Sequence, residues 1–233
     1  MKRSPVLAFV CLYSTSAAQA QHPLIVQKLN EWNDAAPAPN NPKLTSEIRK
    51  TANEVYDSNE NCASSAIVID KVQPATADRF VFTALIRRQL RNAWTVTSRL
   101  PGCDAVPVRF MVMQNNDDSL RTIRVNRGIS YAHDSLISDT LPLAVLAATA
   151  KLQRMGFSCN VEDGFKLGVT RIESEEDGLG ADMFGVRYQG SWSEIWPIST
   201  CNRTVEVLVT FTADGDGGAY TNLPGDQVKV LTK

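Results

Sequence analysis

Two cysteine pairs constrain this chain more than any other feature. Cys62 and Cys103 stand 41 positions apart, and Cys159 and Cys201 stand 42 apart. A tryptophan precedes the second cysteine of each pair, Trp94 and Trp196. Around each pair the same order of features recurs. A helix-compatible stretch (43–59 or 138–155) leads to the first cysteine. Strand-like runs follow at 66–73, 80–87 and 94–96, or at 165–172, 183–188 and 196–198. Beyond the second cysteine another run alternates apolar and polar residues, at 106–112 or 205–211. Self-similarity of this kind is the mark of a repeat. It predicts an α+β fold: a tandem duplication of a helix plus a four- to five-stranded antiparallel meander, each unit stapled by one disulfide. The expected pairs are Cys62–Cys103 and Cys159–Cys201. In the chain-entropy account each loop closure contributes about 4 kcal/mol. The helix-on-sheet outline resembles cystatin-like architecture in shape, and shape alone assigns no function.

The pairing needs an oxidising compartment, and the N-terminus supplies an address. Lys2 and Arg3 precede the apolar run 6–13, and Ala18-Gln19-Ala20 has the small-x-small form of a signal-peptidase site. Residues 1–20 therefore read as a signal peptide, 21–42 as an N-terminal segment and linker, 43–137 as the first α+β unit and 138–233 as the second. Cleavage removes Cys11 and leaves an even four cysteines. The implied location is periplasmic or secreted. No segment after the leader reads as a membrane span.

Leu24, Ile25, Leu29 and Trp32 have near-helical spacing, so the N-terminal segment reads as a short docking helix before the proline-rich stretch 35–42. Leu44, Ile48 and Val55 give the first unit's helix one apolar side. The second helix, expected over 141–155 with Pro142 in its first turn and Gly156 ending it, is apolar nearly all round and is expected to be buried.

Chemistry is bounded mainly by elimination. The chain has two histidines, His22 and His133. Paired cysteines offer neither thiolate nucleophiles nor metal ligands, so no metal and no cofactor is expected. His133 lies beside Asp134 and Ser135, but adjacent residues seldom take up triad geometry, and it reads as a solvated loop residue. Gly178-Leu179-Gly180 lacks the rest of a phosphate loop. Asp214-Gly215-Asp216-Gly217 reads as a hairpin turn rather than a calcium loop. Asn202-Arg203-Thr204 is a glycosylation sequon.

Two features remain. From residue 62 to 128 there are ten basic and five acidic residues, and from 159 to 233 six basic and twelve acidic, so the halves carry +5 and −6. Arg87, Arg88 and Arg91, with Arg121, Arg124 and Arg127, are candidates for a basic binding face. No stacking aromatics interleave with them, so nucleic acid is not expected. The second feature is Glu194. In a strand it shares a face with Trp192 and Trp196, and a carboxylate there needs a partner, for which Arg187 and Tyr188 are the candidates. These features read as an exported, non-enzymatic protein with a protein or small-molecule partner and no catalytic residues. The alternatives are a secreted hydrolase pairing Glu194 with Asp182 or Glu173, and a structural envelope component.

Overall fold

The computed structural model describes residues 23–55, 66–100 and 106–231. The leader, Cys62 and Cys103 lie outside the described residues.

Among the described residues four α-helices, α1 (Pro23–Ala35), α2 (Asn41–Val55), α3 (Arg79–Ile86) and α4 (Asp134–Arg154), and a short 3-10 turn (Val161–Asp163) accompany twelve strands. The first half contributes β1 (Val68–Pro74), β2 (Asn92–Arg99), β3 (Val108–Gln114) and β4 (Leu120–Gly128). The second contributes β5 (Phe165–Leu167), β6 (Val169–Glu175), β7 (Asp182–Met183), β8 (Val186–Arg187), β9 (Ser191–Thr200), β10 (Arg203–Ala213), β11 (Ala219–Asn222) and β12 (Lys229–Leu231). Ten of these strands form one sheet in the order β1-β2-β3-β4-β6-β9-β10-β11, with β5 also on β9 and β12 also on β10. Every pairing is antiparallel except that of β4 with β6, where Arg127 lies opposite Val169 and Gly128 opposite Thr170. This parallel seam joins the halves. Gly128 has φ +91°, and a Cβ there would stand 2.1 Å from the Thr170 carbonyl oxygen, so only glycine lets the strands meet.

The period-2 runs become the long strands. Val205, Val207, Val209 and Phe211 of β10 all face the core. Beneath them α4 buries Ala144, Val145, Ala148 and Leu152, with Trp196 and Ile198 of β9. On the first half α2 sets Leu44, Ile48 and Ala52 against Trp94, Val96, Phe110 and Val112. The opposite face of that half is covered by α3, through Val81 and Leu85 on Ala93 and Met111. The N-terminal helix docks as expected: Trp32 packs edge-on against Phe82 at 5.6 Å, and the buried Asn92 side chain donates to the carbonyls of Trp32 and Ala36.

Several expectations need correction. Residues 80–87 are not a strand but most of α3. Asp78 caps that helix, its Oδ1 accepting from the amides of Phe80 and Val81, and a cap outweighs the β-preference of Phe, Val and Thr. Residues 183–188 form no strand of the main sheet; β7 and β8 make a separate small hairpin. Finally, α4 begins at Asp134, so Pro142 sits inside it. Leu143 and Leu146 of α4 are exposed, so the helix is buried on one side rather than all round. By length and composition alone α4 is long and apolar enough to cross a membrane, and half of its most apolar stretch is buried within the protein.

Of the two expected disulfides, Cys159–Cys201 is present, with a Cα–Cα distance of 5.6 Å. It ties the exit of α4 to the tip of the β9–β10 hairpin. Cys201 and Asn202 form that tip with positive φ at both positions, as a two-residue hairpin turn requires.

Candidate functional site

The connection between the halves, residues 129–133, bonds to the buried side chains of Glu194 and Asp78. Glu194 reaches it from β9. It is fully buried and shares its face with Trp192 and Trp196. Its partners are not Arg187 and Tyr188. Oε1 accepts from the amides of Tyr131 (2.8 Å) and Ala132 (3.2 Å) and from Trp192 Nε1 (2.9 Å), while Oε2 accepts from Trp196 Nε1 (2.8 Å). Four N–H donors thus satisfy the carboxylate, with no counter-ion among the described residues. Trp192 is buried with it, stacked on Phe211 at 5.1 Å.

His133 is buried rather than solvated, and it caps α4. Its aspartate is Asp78, not the neighbouring Asp134. Nδ1 lies 3.0 Å from Asp78 Oδ2, and Nε2 lies 2.9 Å from the Gly217 carbonyl oxygen in the β10–β11 turn. Nδ1 also lies 3.3 Å from the Leu136 amide, the contact by which the side chain caps α4. Ser135 donates from Oγ to Asp78 Oδ1 (2.6 Å) and from its amide to Oδ2 (2.8 Å). The order is therefore serine–aspartate–histidine, with the histidine turned away from the hydroxyl. A triad needs the histidine between the other two. Burial pushes the Asp78 carboxyl up, but hydrogen bonds from His133 and Ser135 outweigh it and hold the group below the usual carboxylate range.

Beside this joint the sheet is left uncovered. Ala93 and Met111 pack under α3, but farther along, Thr95, Thr97 and Arg109 line a cavity of about 340 Å³. Lys71 and Gln73 of β1, Ser130 and Tyr131 of the connection, and Asp182 and Arg187 of the small hairpin complete its walls. Arg187 stacks over the Tyr131 ring at 4.2 Å and donates to the Gly180 carbonyl. Tyr131 in turn donates its hydroxyl to Glu175, which raises the phenol above its ordinary range. Asp182 is engaged by the Gly185 amide and by Gln73.

The cleft floor is different. Arg109 donates to the carbonyls of Ser130 (3.1 Å) and Ala132 (2.7 Å), yet its buried Nε has no hydrogen-bond partner among the described residues. Nor has either oxygen of Asp134, the nearest of which lies 3.6 Å from that Nε. The Asp134 side chain is only 9% exposed. Burial is the largest influence on its carboxyl and raises it to about 6; Asp78 pushes the same way, while Arg109 and His133 oppose.

The other candidates lie elsewhere. Tyr188 is buried, and desolvation pushes its phenol up to about 12. Arg87 and Arg88 close the C-terminal end of α3, where cations complement the helix dipole. Arg91 pairs with Asp118. The sulfurs of Cys159 and Cys201 lie near Asp163 but are bonded to each other, so they offer no thiolates to a metal. Of the residues named from sequence, Asp182, Arg187, His133 and Asp134 border the cleft. Arg109 and Tyr131 carried no signal, and Asp134 only its place beside His133: each is a polar residue that the fold alone brings to the seam. No protein-family profile matches the chain, and no curated protein and no solved structure is significantly similar to it.

Proposed function

We propose that this is an exported, non-enzymatic binding protein, periplasmic or secreted, whose ligand site is the cleft at the seam. One observation carries the reading: Lys71, Arg109, Asp182 and Arg187 converge with Tyr131 on a cleft of about 340 Å³ over an uncovered part of the sheet, a volume and a lining that suit a small polar molecule. The disulfide fits an oxidising compartment outside the cytoplasm. The residues that suggested catalysis have other work. Glu194 is saturated by four donors, which counts against its pairing with Asp182 or Glu173 in a hydrolase. His133 and Ser135 are bound to Asp78.

The test is a thermal-shift panel of small polar compounds against the native protein and Arg187→Ala. At least one compound is expected to raise the native Tm and to lose most of that effect in the variant. A panel that stabilises neither, or both equally, removes the cleft as the site. A pull-down from envelope and culture fluid at low and high salt tests the competing reading. One stoichiometric protein partner lost at high salt would transfer the function to the charged surfaces.

The tandem duplication and the unit boundaries at 43–137 and 138–233 belong to the same proposal. In support, α2 lies on β2 and β3 as α4 lies on β9 and β10, and Trp94 and Trp196 occupy corresponding places in those cores. Non-reducing peptide mapping of the mature protein is expected to yield a Cys62–Cys103 linked peptide. A free thiol at either position would break the parallel.

A further inference from the structure

A second concavity lies on the first half, apart from the seam cleft. It is a trough of about 600 Å³ along β3 and β4, with α3 on one side and α4 on the other. Register fixes its floor. Met111 stands opposite Ile123 and Met113 opposite Arg121, and cross-strand partners share a face of the sheet. Val125 continues the row, while Phe80 of α3 and Leu141 of α4 rise on either side. Phe80 is 52% and Ile123 40% exposed, so this apolar lining is open to water. Exposed apolar surface gathered in a groove marks a contact or ligand site, and methionines adapt to a flexible apolar guest.

The two ends of the trough differ. Gln89, Asn115 and Arg121 line the end at the β3–β4 turn. Arg121 is exposed, and its guanidinium has no partner among the described residues. The acids of that turn are engaged, Asp118 by Arg91 and Gln114 and Asp117 by Ser119. Asp134, the carboxyl in the lining, is buried and faces Arg109. From Arg121 to Val125 the floor runs for roughly 13 Å at about 3.3 Å per residue, the reach of a medium-length acyl chain.

We propose that this trough binds one acyl chain with an anionic head, a medium-chain carboxylate being the simplest member. The chain lies on Met111, Met113, Ile123 and Val125, and the head meets Arg121. The site does not depend on the seam cleft. Charge and apolarity together select the class: a polar solute forfeits the floor, and a neutral hydrocarbon forfeits the cation. A carboxylate accepts charge-assisted hydrogen bonds from a guanidinium, while each methylene on the floor leaves water. The trough is open along its top, so a methylene contributes about half of its full burial, roughly twofold in affinity.

The experiment is isothermal titration with decanoate, hexanoate and decanol at one pH and ionic strength. It uses the native protein, Arg121→Ala, Ile123→Glu and Arg187→Ala, each first shown to be folded by circular dichroism. Decanoate is expected to bind the native protein with a Kd below about 1 mM, and hexanoate, which is shorter, about tenfold more weakly. Arg121→Ala should weaken decanoate about tenfold and leave decanol unchanged. Ile123→Glu sets a carboxylate on the floor and should abolish binding. Arg187→Ala, altered at the seam cleft, should bind decanoate as the native protein does. Weaker binding of decanoate, or equal binding of hexanoate, overturns the acyl site. Decanol binding as tightly as decanoate, or Arg121→Ala without effect, overturns the anionic head. Decanoate binding kept in Ile123→Glu, or lost in Arg187→Ala, places the chain elsewhere and overturns the trough. So does a dimer in sedimentation that Ile123→Glu disperses while decanoate fails to bind, which gives this face to a second copy of the chain.

Discussion

Glu194 holds the connecting segment to β9 by accepting from two backbone amides and two indoles. A glutamine there keeps the shape but turns an NH2 toward one of those donors. We expect Glu194→Gln to cost about 3 kcal/mol in urea unfolding, the penalty of a buried charge-assisted network left with facing donors. Gly128→Ala should cost more than ~2 kcal/mol by the same measurement, because positive φ and the nearby Thr170 carbonyl both exclude a side chain. The two residues differ in how far the sequence announces them. A carboxylate between two tryptophans at period 2 is visible, and so were two of its four donors, since Trp192 and Trp196 lie on its own face. The amides of Tyr131 and Ala132 come from a connection 62 or more positions away, which no local pattern encodes. Asp134 was visible only as a neighbour of His133. Its isolation from hydrogen-bond partners follows from where β3 and α4 meet, and that is a tertiary fact.

At the scale of elements, local preference and capping compete. The long strands and α2 were legible because their periodicity is strong and their neighbours agree with it. Helix α3 was not, because eight residues rich in Phe, Val and Thr suit a strand. Only Asp78 argues otherwise. That one side chain caps α3 and ties it to α4 through His133 and Ser135. Asp78→Ala is therefore expected to cost about 3 kcal/mol, a lost cap together with a stranded buried histidine. Hydrogen exchange checks the mechanism. The amides of Phe80 and Val81 should lose protection while those in β10 keep theirs relative to global stability. Equal losses everywhere would mean that α3 is not held locally by this residue.

For the whole molecule, two carboxyls at the joint pull the pH profile in opposite directions. The native value of Asp134, about 6, lies above the ordinary carboxylate value of the unfolded chain. Between about pH 4 and 6 the folded state therefore binds more protons, and stability falls as pH rises. Asp78 is depressed instead, so its contribution is present above the ordinary range and is lost as pH falls through its lower native value. Asp134→Asn should match the native protein near pH 4 and exceed it by about 3 kcal/mol at pH 8. Denaturation midpoints across that range check this, and a constant offset between the two proteins would show that Asp134 is not the titrating group. The order of features around the two cysteine pairs anticipated a helix on each half of the sheet, but the continuity of the sheet across the halves left no trace in the sequence. It depends on two strands from different halves meeting in parallel, and neither carries a mark of its partner.

That meeting has a mechanical side. Between β4 and β6 the backbone ladder holds only at Arg127 opposite Val169 and Gly128 opposite Thr170, whereas β9 and β10 run together from Ser191 to Thr200. A tensile load that draws the halves apart therefore concentrates on a narrow plane, spanned also by Val125 packed on the second half's core, the Ala77 amide on the Phe184 carbonyl, and short-ranged polar links such as Asp78–His133 and Arg79–Asp139. Such links resist small strains and then fail together, while the long ladders and their apolar cores on either side carry little of the strain. The molecule has the build of a fuse. Under load this short ladder is expected to part before the long ones, with the connector at 129–133 limiting the gap.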